Sequence, residues 1–234
     1  MKSIRLLGAT LLASTTLLGA ASAFAAPSDP STPAPASAQT PVSAELTVNQ
    51  TPTQPVPPLV PEGGTDTGTG ITGLFGIAYA PNALQGSAQL KESGETEVIL
   101  TSTGNTTKKY NVGVQDKTRA KDRNWTLSAQ LEWTGANKDY MNGATIKATG
   151  GNVQLNEAGN LSALADAEVT TAAADLTIGN QAPVEIMAAQ KGKTINGVYN
   201  YQFQEPKLVI PQSQNVTAGS YSGNINWTLS NVVE

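Results

Sequence analysis

The sequence predicts an all-β protein, a single domain built as an antiparallel β-sandwich or a jelly roll. From Ile71 onward, short runs of alternating apolar and polar residues follow one another, as expected of strands that bury one face. Turn signals such as Gly104-Asn105, Gly150-Gly151-Asn152 and Ala158-Gly159-Asn160 separate these runs. Many short strands with few intervening helical segments are typical of sandwich folds.

The predicted strands are sets of alternate apolar residues that share a face. The sets of the main body are Tyr110, Val112 and Val114; Ala144, Ile146 and Ala148; Val184 and Ile186; and Tyr199, Tyr201 and Phe203. An earlier strand is predicted over Ser43–Asn49, where three apolar residues alternate with polar ones. The alanine-rich segment Leu161–Asp175 allows one short helix, although the β-branched side chains of Val169-Thr170-Thr171 disfavour it.

The N-terminus has the features of an export signal over residues 1–25. Lys2 and Arg5 precede a run of leucine and small residues, and Ala21-Ser22-Ala23 and Ala23-Phe24-Ala25 each match a signal-peptidase cleavage site. The apolar run is shorter than the roughly 18 to 20 residues that a membrane-spanning helix needs. We therefore expect the signal to be removed and the mature protein to be secreted, with no membrane insertion afterwards.

The rest of the chain divides into a spacer and a domain. Residues 26–42 are mainly Pro, Ala, Ser and Thr, and they predict a flexible spacer. Residues 43–234 are enough for one domain with its own core. Within this domain, the proline- and glycine-rich stretch 51–70 is either a second linker or a surface loop. The chain contains no cysteine, so the core must be stable without disulfides.

The sequence lacks the usual means of permanent attachment to a cell. The residues leading to Glu234 contain no hydrophobic tail and no Leu-Pro-x-Thr-Gly sorting sequence, and no cysteine is present for lipid modification. We expect a mature protein that leaves the cell or stays on its surface by non-covalent binding. The net charge is −4, and it becomes more negative when Lys2 and Arg5 leave with the signal, which argues against nucleic-acid binding.

Enzymatic chemistry has little support in the sequence. Histidine and cysteine are both missing, which excludes Ser-His-Asp and Cys-His arrangements and a typical zinc site. Glycoside hydrolysis needs two carboxylates, but nothing in the sequence places two of Glu92, Glu95 and Glu97 around a cleft. The spacing of a calcium-binding EF-hand is also missing. We therefore predict no catalytic residues, no metal and no cofactor.

The most informative feature is the pentapeptide Asn-Trp-Thr-Leu-Ser, which occurs at 124–128 and again at 226–230. These two copies hold two of the three tryptophans in the chain. The arrangement resembles that of the WxL surface proteins of low-GC Gram-positive bacteria. Those proteins carry one Trp-x-Leu motif in the middle of a domain and a second motif close to its end.

Other residues around the two copies match the same family. Val114, Asp116 and Arg119 resemble the Val-x-Asp-x-Arg sequence that precedes the first Trp-x-Leu motif, and Ala218-Gly219-Ser220-Tyr221 resembles the sequence before the second. The resemblance extends over about residues 43–234, and it favours the loop interpretation of 51–70. The motif residues that it identifies as candidate binding positions are Trp125, Leu127, Trp227, Leu229, Asp116, Arg119 and Tyr221.

The resemblance implies a role at the cell surface. WxL proteins are exported, attach to peptidoglycan through this C-terminal domain and take part in multi-protein surface assemblies. The leading hypothesis is therefore non-covalent attachment to the Gram-positive cell wall, with peptidoglycan as the partner and other surface proteins of the same assembly nearby. The alternative is an adhesive or structural subunit of a surface complex that binds other proteins or host ligands.

The Trp-x-Leu side chains have two interpretations. Residues i and i+2 of a strand point to the same side. The first motif therefore belongs to an apolar stripe of Trp125, Leu127, Ala129, Leu131 and Trp133, and the second to a stripe of Ile225, Trp227 and Leu229. A stripe this apolar favours burial in the core, because burying a large aromatic side chain contributes more than an exposed contact does. The other interpretation is direct contact, with the indole rings stacked on wall sugars.

Basic residues concentrate between Lys108 and Arg123. Wall teichoic acid is a phosphate polymer, so Lys117, Lys121 and Arg123, together with Arg119, are candidate contacts to an anionic polymer. The alternative is an ordinary solvated loop between two strands, in which Arg119 pairs with Asp116.

Overall fold

The computed structural model describes residue 35 and residues 37–135, 141 and 143–232. The predicted signal peptide lies outside these residues. The chain divides into two compact units, Met1–Leu46 and Thr47–Glu234, and the second unit contains all of the described strands. The strand predicted over Ser43–Asn49 is wrong, because these residues have no strand structure and pair with no other described segment. Alternation alone does not produce a strand when no neighbour accepts the backbone hydrogen bonds.

The described part of the second unit is a β-sandwich of two antiparallel sheets, which confirms the predicted fold class. Its strands are β1 Thr67–Gly68, β2 Phe75–Ala80, β3 Thr96–Ile99, β4 Lys109–Asp116, β5 Asn124–Thr134, β6 Thr145–Glu157, β7 Asn160–Ser162, β8 Val169–Thr171, β9 Leu176–Ile178, β10 Val184–Ala189, β11 Gly197–Ile210 and β12 Ser222–Val232. No helix in the described part of the chain combines the length and apolarity that crossing a membrane requires.

The two sheets differ in size. The larger sheet has the order β1-β2-β4-β11-β6-β7, with β3 also paired to β11 and β9 to β6. The smaller sheet has the order β12-β5-β10-β8. Strand β11 is the centre of the larger sheet because it is long enough to pair with β4, β6 and β3 along its length.

The apolar core consists of the inward-facing residues that the alternation predicts. Tyr110, Val112 and Val114 of β4 and Tyr199, Tyr201 and Phe203 of β11 are all buried, and the rings of Tyr110 and Phe203 stack with their centroids 5.6 Å apart. Residues of β5 and β10 in the smaller sheet, such as Leu127 and Ile186, belong to the same cluster. Burial of these large side chains is the main source of stability in a domain without disulfides.

Two local predictions are wrong. Leu161–Asp175 forms no helix: its described residues include the end of β7 and all of β8, and the β-branched residues 169–171 form β8. Gly150-Gly151 is not a turn between strands, because β6 continues through it with an irregular register against β11. Gly150 has a φ of 69°, and a Cβ on Gly151 would lie 2.0 Å from the carbonyl oxygen of Ala173. These glycines permit a bulge and a close backbone approach.

The outer face of the larger sheet is covered by the chain before β1. Asn111 and Gln202 point away from the core, and their side-chain amides both donate to the backbone oxygen of Glu62, at 2.8 and 2.9 Å. Asn111 Nδ2 also donates to Asp66 Oδ2 at 2.9 Å. Burial raises the pKa of Asp66 to about 6 despite these hydrogen bonds. The proline- and glycine-rich segment thus lies against the sheet through hydrogen-bonded polar groups.

Candidate functional site

The first Trp-x-Leu motif lies on β5, in the interior of the smaller sheet. Trp125 and Leu127 point into the core with Ala129 and Leu131, and both Trp125 and Leu127 are 0% exposed. Strand β5 is flanked by β12 on one side and β10 on the other. The prediction that this stripe faces the core is confirmed, and neither side chain is accessible to a ligand on the surface.

A buried polar chain connects this tryptophan to Asp116. The indole Nε1 of Trp125 donates to the hydroxyl oxygen of Thr194 at 3.0 Å, and that hydroxyl donates to Asp116 Oδ2 at 3.1 Å. The other oxygen of Asp116 accepts from the hydroxyl of Thr118 at 2.7 Å. Asp116 and Trp125, from the two halves of the upstream motif, are therefore joined through Thr194, a residue outside the motif.

Asp116 is 0% exposed, and Arg119 is exposed on the loop that follows β4. The pairing of Arg119 with Asp116 that the solvated-loop alternative supposed does not occur. The Asp116 carboxylate bonds to hydroxyl and backbone groups, and Arg119 forms no ion pair with any described residue. Tyr199 packs on Trp125 with ring centroids 6.0 Å apart. Burial, and then the charges of Glu168 and Asp116, raises the pKa of Tyr199.

The second motif occupies β12, at an edge of the smaller sheet. In the pairing of β12 with β5, Trp227 lies opposite Ala129 and Leu229 lies opposite Leu127. The side chains of Trp227 and Leu229 are only half-buried. The Trp227 ring lies 6.3 Å from that of Phe203, centroid to centroid, so it contacts the core from the side. Tyr221, just before β12, donates its hydroxyl to the backbone oxygen of Thr217 at 2.7 Å and so closes the preceding turn.

The candidate cations lie on the loop between β4 and β5. Arg119 and Lys121 are exposed, whereas Lys117 and Arg123 are half-buried. Lys117 Nζ donates to the backbone oxygen of Thr53 at 3.1 Å, and burial lowers the pKa of this lysine. The Arg123 guanidinium lies 4.7 Å from the centroid of the Phe75 ring, a cation–π contact that orients it.

A second loop lies against the first and adds further cations. The backbone N–H of Arg119 donates to Ile195 O at 2.8 Å, and that of Gly192 donates to Arg123 O at 3.2 Å. Gly192 has a φ of 73°, and a Cβ there would lie 2.3 Å from the Lys121 carbonyl oxygen, so the close approach requires glycine. Lys191 and Lys193, on either side of Gly192, are exposed.

We call the surface formed by residues 117–123 and 191–193 the basic end. Sequence reasoning missed Lys191 and Lys193. The Lys-Gly-Lys tripeptide is visible in the sequence, but its proximity to residues 117–123 follows only from the pairing of β4 with β11.

The other basic residues of the predicted run are elsewhere. Lys108 and Lys109 lie at the opposite end of β4, and eight strand residues extend roughly 25 Å. They form ion pairs with Glu205 at 3.3 Å and Glu62 at 2.7 Å. By contrast, Arg119, Lys121 and Lys193 form no ion pair with any residue that the structure describes. The basic residues between Lys108 and Arg123 therefore lie at two opposite ends of β4, and the candidate contacts Lys117, Arg119, Lys121 and Arg123 are all at the same end.

No group of three or more acidic side chains among residues 37–135 and 143–232 is arranged to hold a metal ion. The fold and the basic end together define a β-sandwich with a cationic surface at one end of its strands.

Comparison with known proteins identifies the family. The family model described as a WxL domain, surface cell wall-binding, matches residues 33–232. The chain therefore belongs to the WxL family, as its paired Trp-x-Leu motifs indicate, and this family is one of cell-surface, wall-binding domains. No curated protein and no solved structure matches the chain.

Proposed function

We propose that this protein is secreted and attaches non-covalently to the peptidoglycan of a Gram-positive cell wall. In this proposal residues 1–25 direct export, residues 26–42 form a spacer and residues 43–234 form the wall-binding domain. The observation that carries it is the basic end, where the exposed side chains of Arg119, Lys121 and Lys193 form no ion pair with any described residue, on a domain of a wall-binding family. The protein acts as a binding module in this proposal and not as an enzyme.

The basic end suits an anionic polymer for two physical reasons. The backbones that carry its cations are fixed before binding, because the two loops are hydrogen-bonded to each other, and the Arg123 guanidinium is also oriented by the Phe75 ring. Preorganised groups lose less conformational entropy when a ligand binds. The net charge of the chain is −4, so a local cluster of positive charge provides an attraction that the rest of the surface does not.

The ligand class follows from this charge. Phosphates of wall teichoic acid, and carboxylates of the peptidoglycan stems, are the anions of such a wall, and guanidinium groups recognise both geometries. Lys117, Arg119, Lys121 and Arg123 are the proposed contacts, with Lys193 beside them. In this proposal buried Trp125 supports the surface from below through its hydrogen bond to Thr194, which in turn bonds to Asp116, and neither Trp125 nor the equally buried Leu127 contacts the ligand.

The proposal is tested by sedimentation with isolated walls. Purified residues 26–234 are mixed with insoluble peptidoglycan, with and without teichoic acid. We expect the protein to pellet with the wall and to be released by high salt or strong denaturant but not by a reducing agent. Native protein that leaves cells only after muramidase digestion, and that carries covalently bound wall fragments, would refute the non-covalent mode.

A charge series tests the basic end itself. Changing Lys117, Arg119, Lys121 and Arg123 together to Gln should remove most of the salt dependence of wall binding, because screening acts on these contacts. The matched control changes Lys91, Lys108, Lys147 and Lys207 to Gln, which alters the net charge equally but leaves the basic end intact. Equal losses of binding in the two variants would exclude a specific role for the basic end.

A further inference from the structure

The edge strands of this sandwich differ greatly in length. Within the described residues, the strands that pair with a single neighbour are β1, β3, β7, β8, β9 and β12. Five of them contain two to four residues, whereas β12 contains eleven. Short edges are one way in which proteins prevent pairing with another chain, and this protection does not apply to β12.

The other common protections are also missing from β12. Its residues Ser222–Val232 include no proline and no charged side chain. The pairing with β5 runs without a register shift from Ser222 opposite Thr134 to Val232 opposite Asn124, so no bulge twists the edge away. No described residue outside β5 forms a backbone hydrogen bond with β12. One side of an eleven-residue strand is therefore unpaired among the described residues and offers its backbone groups to a further strand.

The same edge also exposes apolar surface. Ile225, Trp227 and Leu229 are half-buried, although they point to the same side as the fully buried stripe of β5. A groove of about 1100 Å³ runs beside Ile225 and Trp227, and Leu131, Trp133 and Leu208 line its apolar wall. A strand added to β12 would bring its own inward-facing side chains over this groove and would complete the burial of Trp227.

We propose that the added strand is β12 of a second copy of this chain, antiparallel to the first and related to it by a two-fold axis. The two smaller sheets then form one continuous eight-stranded sheet. Symmetric antiparallel pairing places odd-numbered residues opposite odd-numbered ones, so the apolar stripe of one copy meets that of the other. Because β12 carries no charge, self-pairing brings no like charges together.

The outward face of β12 fits the same arrangement. Asn226, Thr228 and Ser230 are exposed amide and hydroxyl side chains, which donate and accept hydrogen bonds equally well across a two-fold axis. Isologous contacts of this kind are the commonest way in which identical chains associate. This inference is independent of the proposed wall binding, because the edge strand and the basic end use different residues.

The first test is the oligomeric state of residues 26–234, measured by sedimentation equilibrium. We expect a concentration-dependent dimer that Thr228→Lys weakens by at least about tenfold, because each copy then places a charge near the middle of an otherwise uncharged strand pair. The matched control is Thr171→Lys, the same change at an exposed position on β8, the opposite edge of the smaller sheet; it should leave the dimer unchanged. A monomer at every concentration, or a dimer that Thr228→Lys does not weaken, would overturn the proposal.

The second test locates the contact and does not depend on the stability of the lysine variant. The chain contains no cysteine, so single cysteines at Asn226, Thr228 and Ser230 can be oxidised one at a time. Directly opposed residues of an antiparallel pair have a Cα separation of about 4.5 to 5.5 Å, which a disulfide spans. Cross-linked dimer should form readily at the position nearest the axis, and Thr171→Cys should remain monomeric. Equal cross-linking at all four positions, or capture of a different protein by β12 in place of a second copy, would count against self-pairing.

Discussion

The two Asn-Trp-Thr-Leu-Ser segments have identical side chains and both lie on strands, yet their environments differ. Trp125 and Leu127 are completely buried because β5 has a neighbour on each side and the larger sheet in front. Trp227 and Leu229 are half-buried because β12 pairs with β5 and with no other strand in the described part of the chain. The position of a strand within its sheet therefore determines how much of an apolar side chain is removed from water, even when the local sequence is the same.

The indole N–H groups of the two tryptophans also differ in their hydrogen bonding. The indole N–H of Trp125 has a buried partner, Thr194, which in turn bonds to Asp116. The Trp227 indole forms no hydrogen bond with any described residue, and its half-exposed position leaves it accessible to water. A buried indole N–H needs a protein partner, whereas an exposed one does not. We interpret the β5 copy as structural and the β12 copy as a surface that is free to associate.

The largest expected effect is the loss of stability when the buried tryptophan, Trp125, is replaced. Trp125→Ala should lower the free energy of unfolding by about 3 to 5 kcal/mol, since it leaves a cavity in the centre of the core. Urea unfolding followed by circular dichroism would measure the loss. A well-folded variant that loses less than about 1 kcal/mol would contradict the core position of this side chain.

Removing the polar anchor should have the next largest effect. Thr194→Val keeps the shape but leaves the Trp125 N–H and one oxygen of Asp116 without a partner, so we expect a loss of about 2 to 3 kcal/mol. Thr171→Val on β8, where the threonine is exposed, is the control and should change stability by less than about 0.5 kcal/mol. Equal unfolding midpoints for Thr194→Val and the original protein would show that the hydrogen-bonded chain does not stabilise the fold.

A smaller loss is expected at the edge strand. Trp227→Ala removes a side chain that is only half-buried, so the cost should be about 2 kcal/mol, near half of that for Trp125. The same urea series measures it. If wall binding disappears in Trp227→Ala while the unfolding transition is unchanged, the indole is a ligand contact and the basic end is not the principal site.

The last prediction compares the solvent exposure of Trp125 and Trp227 in the folded protein by fluorescence. A variant that retains only Trp125, with Phe at the other two tryptophan positions, should show blue-shifted emission and weak quenching by acrylamide. At concentrations low enough for the protein to be monomeric, a second variant that retains only Trp227 should emit at longer wavelength and be quenched more strongly. Identical quenching of the two variants would mean that β12 is covered in solution, and sedimentation would then identify whether a second copy covers it.

Much of the fold was predictable from local patterns. The alternation in β4, β6, β10 and β11 identified which residues face the core, because side-chain direction in a strand reverses at every residue. The same argument failed over Ser43–Asn49, where no described strand accepts the hydrogen bonds, and at Gly150-Gly151, where glycine permits a bulge as readily as a turn. Within Leu161–Asp175, the alanines did not produce a helix. The β-branched residues Val169, Thr170 and Thr171 form a strand instead, because they pair with β10 in the smaller sheet.

By itself, the sequence determined the all-β class, the family through its paired motifs and the absence of the residues that most enzymes and zinc sites need. These properties depend on residue type and short-range spacing. Only the tertiary structure decided that Thr194 bridges Asp116 and Trp125, that Lys191 and Lys193 join the basic loop while Lys108 and Lys109 do not, and that the second Trp-x-Leu motif lies at an open edge. Each of these depends on which strands become neighbours, and strand pairing between distant segments is set by the packing of the whole sandwich and not by any local pattern.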